Sequence, residues 1–551
     1  MESSDTDVAS GDERQGLKRR AAMALGSGLA LAGLGTPAEA ATGARSLSSA
    51  DQLRPAYDVI IVGAGSAGCV VAHRLGQAGR RVLVIEAGGH SRLPAVADPP
   101  QWPTLSGGPL DWRYVTVPQA GLGGRVVPYP RGKAVGGSSV INALAYQAGH
   151  PAAYDRWPAG WRHADLLPFF KRAEMFSGGG DTWRGGEGPL HVLSLADVAE
   201  RTPVAAAFVA AAEERGFART ADLGGAVRTG VGWNQLSVKF SDGDYVRHDS
   251  ACAFLDSLDG AAVDLLADTP VLGLVIEGGR CVGVRLADRI VRTDGEVVLS
   301  AGAIDSPRLL MVSGIGPAPA LRSMGIPVAV DLPEVGQHLE DHVLLAGVAY
   351  RARREVSRSH FNHADALLYV PPADPRQAPD HLIMCLSLPF VQPVVGAMPA
   401  PAYTLVPCLM QPRSRGTVRL ASADPLASPL IDPNFLSDPA DLSSLETAVN
   451  LAREIGSARA FDDWREAEVY PGSAWADRAT RADFIRRAAR PFHHPIGTCR
   501  IGAVVDEALR VTGVAGLRVV DASVMPSLPA AMINAAVIAV AERASALMLA
   551  G

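Results

Sequence analysis

Cysteine is scarce in this chain and poorly placed for cross-linking. The six cysteines are Cys69, Cys252, Cys281, Cys385, Cys408 and Cys499. Their wide, irregular spacing gives no disulfide framework, and no Cys/His cluster has zinc spacing. Mostly buried thiols and no bound metal are expected. A basic stripe is also missing. The net charge is −6 and the pI is near 6.1, which excludes an electrostatic nucleic-acid binder. Past the first forty residues no apolar run is long enough to span a bilayer, so no stable membrane span is expected. There is no internal repeat. Charged residues make up 20% and hydrophobic ones 48%, which excludes a disordered chain. At 551 residues the chain exceeds one simple core, and two domains or one large composite domain are expected.

What is present begins with Tyr57-Asp58-Val59-Ile60-Ile61-Val62, a run suited to a buried parallel strand, followed by Gly63-Ala64-Gly65-Ser66-Ala67-Gly68. Gly63 permits a tight turn. Gly65 lets the backbone approach a pyrophosphate. Gly68 lets the next helix pack on the strand. That helix reads Cys69-Val70-Val71-Ala72-His73-Arg74-Leu75, and its N-terminal N–H groups would face phosphates. A second strand, Arg81 to Ile85, ends in Glu86. An acid there accepts both hydroxyls of an adenosine ribose and repels a 2′-phosphate. Strand, glycines, helix, strand and acid in this order predict a bound ADP moiety. They do not separate FAD from NAD.

The first forty residues have a different composition. Lys18-Arg19-Arg20 precede an Ala/Gly/Leu-rich stretch from Ala21 to Gly35, and Ala38-Glu39-Ala40 forms a small-x-small pattern. This predicts an export signal over residues 1–40. The paired arginines resemble a twin-arginine signal and imply a periplasmic destination. That route carries folded cargo, which suits a protein built around a dinucleotide. Ala21 and Ala22 stand where bulkier residues are usual, and a tail with a misassigned start is the other reading.

The fold expected is α/β: a discontinuous Rossmann-like dinucleotide domain plus a substrate domain with a mainly antiparallel sheet and flanking helices. The dinucleotide domain is expected over residues 55–342, with substrate-side insertions around 150–250. The substrate domain is expected over 343–490, and a C-terminal return over 491–551. Residues 91–124 read as a long loop excursion. Helices are expected from Asp155 to Glu174, Pro203 to Phe217 and Asp441 to Ile455. Strands are expected at Val263–Leu266, Val271–Ile276, Glu296–Ser300 and Thr417–Leu420, with a hairpin through Gly278-Gly279.

Five further motifs together resemble the glucose–methanol–choline oxidoreductase family, from about Tyr57 to the C-terminus. They are Arg131 to Asn142, with Gly136-Gly137-Ser138-Ser139 at its centre; Gly302-Ala303-Ile304-Asp305-Ser306-Pro307 through Gly316-Pro317; Val335-Gly336-Gln337-His338-Leu339-Glu340-Asp341-His342, where His338 replaces the family's usual Asn; His494-Pro495-Ile496-Gly497-Thr498; and Leu517 to Pro526. The resemblance implies FAD. Its site would comprise Gly63, Gly65, Ser66, Ala67, Gly68, Glu86, Arg131, Val135, Gly136, Gly137, Ser138, Asn142, Ala143, Leu144, Val271, Asp521, Ala522, Asn534 and Ala535. Some relatives tether the flavin through a histidine just before the Asn of the first motif. Here that position is Ile141, so non-covalent FAD is expected.

The resemblance also implies alcohol oxidation. A neutral imidazole suits removal of the hydroxyl proton while hydride leaves carbon, and His494 takes that role. Asn534 would hold the alcohol oxygen by its amide; Ala535 follows it where the family commonly has Pro. The reading as an N-cap is the alternative for both Asn534 and Asp521. His493 is expected to point elsewhere and to be structural. The expected substrate is a primary alcohol, aromatic, furanic or choline-like, with Phe390, Tyr403, Trp464 and Tyr470 as candidate pocket aromatics. Oxygen or a quinone or cytochrome would take the electrons. A hydroxynitrile lyase on the same scaffold stays open. A fatty-acid photodecarboxylase is disfavoured, because those relatives lack the histidine where His494 stands.

Overall fold

The computed structural model describes residues 43–550, except 92 and 259–261. The expected export signal lies outside the described residues.

A six-stranded parallel sheet holds the strand order Arg45–Leu47, Val263–Leu266, Val82–Ile85, Val59–Val62, Glu296–Leu299 and Leu517–Val519. The inner strands are short and apolar, and Val59–Val62 and Val82–Ile85 are buried throughout. That is the pattern of a sheet covered on both faces. The sheet begins before residue 55: Arg45 and Arg54 both reach the buried Asp264, at 2.6 and 2.9 Å. Tyr57 donates to the same carboxylate at 2.7 Å. The helix Ser66–Gln77 follows the glycine turn and packs on the C-terminal helix Asn534–Ala550. The latter is apolar all round, as a helix enclosed by neighbours must be. Its one buried carboxylate, Glu542, is held by Arg74 at 2.7 Å and Arg172 at 2.5 Å.

The second sheet is antiparallel along the order Arg465–Tyr470, Val348–Ala352, Ala402–Leu409, His381–Leu386, Ala366–Tyr369 and Gly230–Trp233. Val343–Leu345 joins it to Ala489–Pro491. The inserted region thus donates an edge strand. Alternation along these strands divides two cores. Leu382, Met384 and Leu386 pack with the parallel-sheet side, whereas Ile383 and Cys385 pack with the helices Pro203–Glu214 and Pro439–Gly456. Both faces are covered, so the strands read as continuous apolar runs.

Several expected elements shift. The helix expected from Asp155 is confined to His163–Ala173. Pro158 disfavours helix at the residue before it, and Gly160 sits at φ +84°. The strand expected from Val271 starts at Gly273, leaving Val271 on a cavity wall. The excursion over 91–124 contains one-turn helices at Pro94–Ala97 and Trp102–Leu105. All six cysteines are free, and all but Cys252 are buried. Among the described residues no helix is long and apolar enough to cross a membrane, and no group of three or more His, Cys, Asp or Glu could hold a metal.

Candidate active site

A cavity of about 520 Å³ opens between the two sheets. Its parallel-sheet wall is the glycine turn. A Cβ on Gly68 would lie 1.9 Å from the Gly63 carbonyl oxygen, so only glycine lets the helix sit this close. At Gly65 a Cβ would find nothing within 3.9 Å. Its nearest neighbours would be the Gly137 Cα and the Ser300 carbonyl oxygen, at ordinary van der Waals distance, so glycine here keeps the cavity floor bare rather than relieving a clash. Gly137, at φ +56°, faces it, and a Cβ there would lie 2.6 Å from the Gly65 Cα. Two bare backbones therefore pack in direct contact and give the cavity a floor free of side chains, with Ser66, Ala67 and Ser138 beside it.

Glu86 stands where the second strand ends. Its carboxylate accepts from the N–H groups of Ala64 and Gly88, both at 2.8 Å. Burial pushes its pKa up to about 7, against the pull of those two donors. Asp521 accepts from Ser523 N–H at 2.8 Å and from Gly302 N–H at 2.9 Å. It is the N-cap of a short turn and also lines the cavity, so both roles expected of it hold together. Asn142 accepts from Leu144 N–H at 3.0 Å and from Arg247 at 2.8 Å. Arg131, Ala143, Leu144, Val271 and Ala522 line the cavity as well. Gly68, Val135, Gly136 and Ala535 do not. They stand behind the lining, with Gly136 donating its N–H to the Ala64 carbonyl at 2.7 Å. A cavity floor of facing glycines, an acid at the end of the second strand and a helix N-terminus fit an FAD. Ile141 lines the cavity and offers no atom for a covalent tether.

The opposite end carries the chemistry. His494 Nδ1 lies 2.9 Å from His342 Nδ1. His342 Nε2 lies 3.1 Å from the Met410 carbonyl oxygen. A carbonyl can only accept, so His342 carries its proton on Nε2 and presents a lone pair at Nδ1. His494 must then donate from Nδ1, which leaves its Nε2 as a free lone pair. The tautomer of His494 follows from a chain of three groups. Burial, and then the neighbouring His342, hold the His494 pKa well below that of an ordinary histidine. Burial takes His342 down to about 3. Both rings are neutral at ordinary pH.

The His494 backbone is fixed too. Its N–H donates to Asp341 at 2.7 Å, and Tyr129 donates to the other oxygen of Asp341 at 2.6 Å. The Phe492 ring lies 4.4 Å from the imidazole. None of Asp341, His342, Tyr129 and Phe492 is assigned a role by the sequence. The Asp-His pair lay inside a recognised motif, but nothing in its spacing shows that His342 meets a residue 152 positions away.

Asn534 lines the same cavity as His494, and Ser66 Oγ donates to its side-chain oxygen at 2.8 Å. His493, at φ 67°, also lines the cavity, and its Nε2 accepts from Arg490 at 3.1 Å. His338, also left-handed at φ 58°, pairs with Glu334 near the surface at 3.0 Å. Asn and His are both enriched in that conformation, which explains the replacement in the motif. Of the four candidate aromatics only Phe390 lines the cavity. Tyr403 is stacked in the core between Tyr350 and Phe461. Trp464 is buried, and the Tyr470 hydroxyl binds the Ala397 carbonyl.

Comparison with known proteins agrees with this geometry. The GMC oxidoreductase profiles match residues 57–344 and 412–541. The chain is 35% identical over 532 residues to an oxygen-dependent choline dehydrogenase of Sinorhizobium fredii, covering 89% of this chain and 94% of that one. It is 36% identical over 541 residues to an alcohol dehydrogenase (acceptor) of Pseudomonas putida, covering 90% and 96%. The crystal structure of pyridoxine 4-oxidase from Mesorbium loti superposes with a TM-score of 0.85 at 36% identity, covering 90% and 99%.

Proposed function

The chain belongs to the GMC oxidoreductase family, and from that premise we propose that it oxidises a primary alcohol with an apolar or aromatic body to the aldehyde. FAD-dependent oxidation of a CH–OH group is the general reaction of the enzyme, and FAD, when bound, accepts the hydride that leaves the carbinol carbon. The residues that would hold it are the Gly63–Gly68 turn, Glu86, Gly137, Ser138, Asn142 and Asp521. Binding is non-covalent, since Ile141 supplies no tether.

The observation that carries the reading is the His342–His494 pair. It leaves a neutral imidazole with its Nε2 lone pair free, on the wall of the cavity whose floor is the glycine turn. That nitrogen takes the hydroxyl proton. Asn534, tied to Ser66 by its carbonyl oxygen, keeps its amide N–H groups for the alcohol oxygen. Met384, Leu386, Phe390 and Phe492 supply apolar wall, which favours an apolar or aromatic substrate body.

Anaerobic stopped-flow absorbance tests this. Primary alcohols should bleach the flavin of the wild type, whereas His494→Ala should keep its flavin and lose at least a hundredfold in rate, a magnitude of about 10² or more for a general base. Near-normal bleaching by His494→Ala would remove His494 from the mechanism. Mixing the reduced enzyme with air then identifies the acceptor: quick recolouring means an oxidase, and slow recolouring means a quinone or cytochrome partner.

A further inference from the structure

Arg490 lies in the strand Ala489–Pro491, opposite Leu344, and lines the cavity beside Phe390, Phe492 and His493. Its guanidinium stands 5.4 Å from the centre of the Phe390 ring. Its side-chain hydrogen bond goes to His493 Nε2 at 3.1 Å. Among the described residues no carboxylate forms an ion pair with it. The other cavity arginine of this region, Arg131, is engaged: it donates to the His493 carbonyl at 2.7 Å and feels the charges of Asp341 and Asp111.

The carboxylates that line the cavity are Glu86, Asp305 and Asp521. All belong to the parallel-sheet side, and all are occupied. Glu86 holds two backbone N–H groups. Asp305 holds Tyr114 at 3.0 Å and Arg308 at 2.6 Å. Asp521 holds Gly302 and Ser523. The antiparallel-sheet wall therefore carries a cation and no anion. Burial, with the charge of Arg125 acting the same way, pulls the Arg490 pKa down to about 10. A cation half-buried on a cavity wall without a counter-charge is costly, and a guanidinium with one N–H group on His493 and its carbon over the Phe390 ring has further donors for a two-oxygen partner.

We propose that Arg490 binds a carboxylate of the substrate, so that the alcohol oxidised here is a hydroxy acid: an apolar body with its hydroxyl at His494 and its carboxylate at Arg490. The proposal rests on the alcohol-oxidase reading of the same cavity and narrows it. A quaternary-ammonium alcohol of the choline type would meet like charge on this wall and find no acid to balance its own.

Calorimetric titration of the oxidised holoenzyme with benzoate and with benzamide tests the charge preference without turnover. The wild type should bind benzoate more tightly than benzamide. Arg490→Met should lose roughly 10- to 100-fold in benzoate affinity, the worth of a charge-assisted contact, with benzamide affinity unchanged. Arg490→Lys, which keeps the charge but not the fork, should fall between. Should Arg490→Met lose its flavin absorbance, Arg490→Lys alone carries the comparison. Benzoate and benzamide bound alike by the wild type would overturn the proposal. So would equal benzoate affinity in wild type and variant, including the case where the variant shifts only the flavin reduction potential. Benzyl alcohol oxidation by His494→Ala is measured beside it. Its retention would defeat the alcohol-oxidase reading and leave the benzoate result standing.

Discussion

Replacing His342 by Leu tests whether the base is set by its neighbour. In the native site the Met410 carbonyl fixes the proton of His342, and His342 fixes that of His494. The other tautomer of His494 would oppose two lone pairs at 2.9 Å. Leucine removes the acceptor. It leaves either a buried N–H without a partner or a ring free to flip its proton onto the catalytic nitrogen. An unpartnered buried donor costs about 1–3 kcal/mol, which translates into a loss of roughly 5- to 150-fold in the rate of flavin bleaching by alcohol. His342→Asn places a side-chain oxygen near the lost Nδ1 and should restore most of that rate. Nitrogen-15 NMR of histidine-labelled protein reads the cause directly: His494 should be protonated at Nδ1 in the wild type and in His342→Asn, and should change tautomer in His342→Leu. Wild-type rates in His342→Leu, or an Nε2-protonated His494 in the wild type, would refute the reasoning.

Other outcomes follow from the same geometry. Gly65→Ala should fold and lose FAD, since its Cβ meets no protein atom closer than 3.9 Å yet stands on the cavity floor, whereas Gly68→Ala should lower Tm as well, its Cβ being driven into the Gly63 carbonyl; flavin content and thermal melts separate the two, and equal melting temperatures would contradict the packing argument. Glu86→Leu should orphan the N–H groups of Ala64 and Gly88, at about 1–3 kcal/mol each, and should emerge from purification with little flavin. The His494 pKa is lowered, so the base stays unprotonated as pH falls through the ordinary histidine range; the rate of flavin bleaching should show no acid limb near pH ~6.5, and such a limb would show that His494 titrates normally. Glu542→Ala should destabilise by about 2–3 kcal/mol, less than for a fully buried pair, because Arg74 and Arg172 retain 15% and 40% side-chain exposure and can reach water; chemical denaturation measures it.

The parts legible in the sequence are those where one stretch of chain does one local job. Gly63, Gly65 and Gly68 act within a single strand-turn-helix, so their spacing states their purpose. Arg45–Leu47 was invisible because a three-residue edge strand has no periodicity of its own. Its place is set by Arg45 meeting Asp264, 219 residues on. The pocket aromatics misled for a related reason. The antiparallel strands are apolar on both faces, and sequence does not tell which alternate row faces the cavity. Tyr403 and Phe390 look alike as residues, yet one fills the helix-side core and the other lines the site.

The active site shows the same division at the level of chemistry. His494 was found because it sits in a motif, but the motif says only that a histidine is there. What makes it a base is its protonation pattern, and that is set by His342 from an antiparallel-sheet segment, by the Met410 carbonyl at the end of another strand, and by an Asp341 that holds the His494 backbone. None of these contacts is local in sequence. Arg490, four residues before His494 in the chain, extends the point. Its proximity is legible, but its significance lies in the absence of an acid among the described groups around it. That absence appears only once the two sheets are folded against each other and the cavity's three carboxylates are seen to belong to the other wall. A charged residue near a catalytic motif is ordinarily a solvated or paired one; here the fold half-buries it on a cavity wall and sets no acid of the cavity beside it.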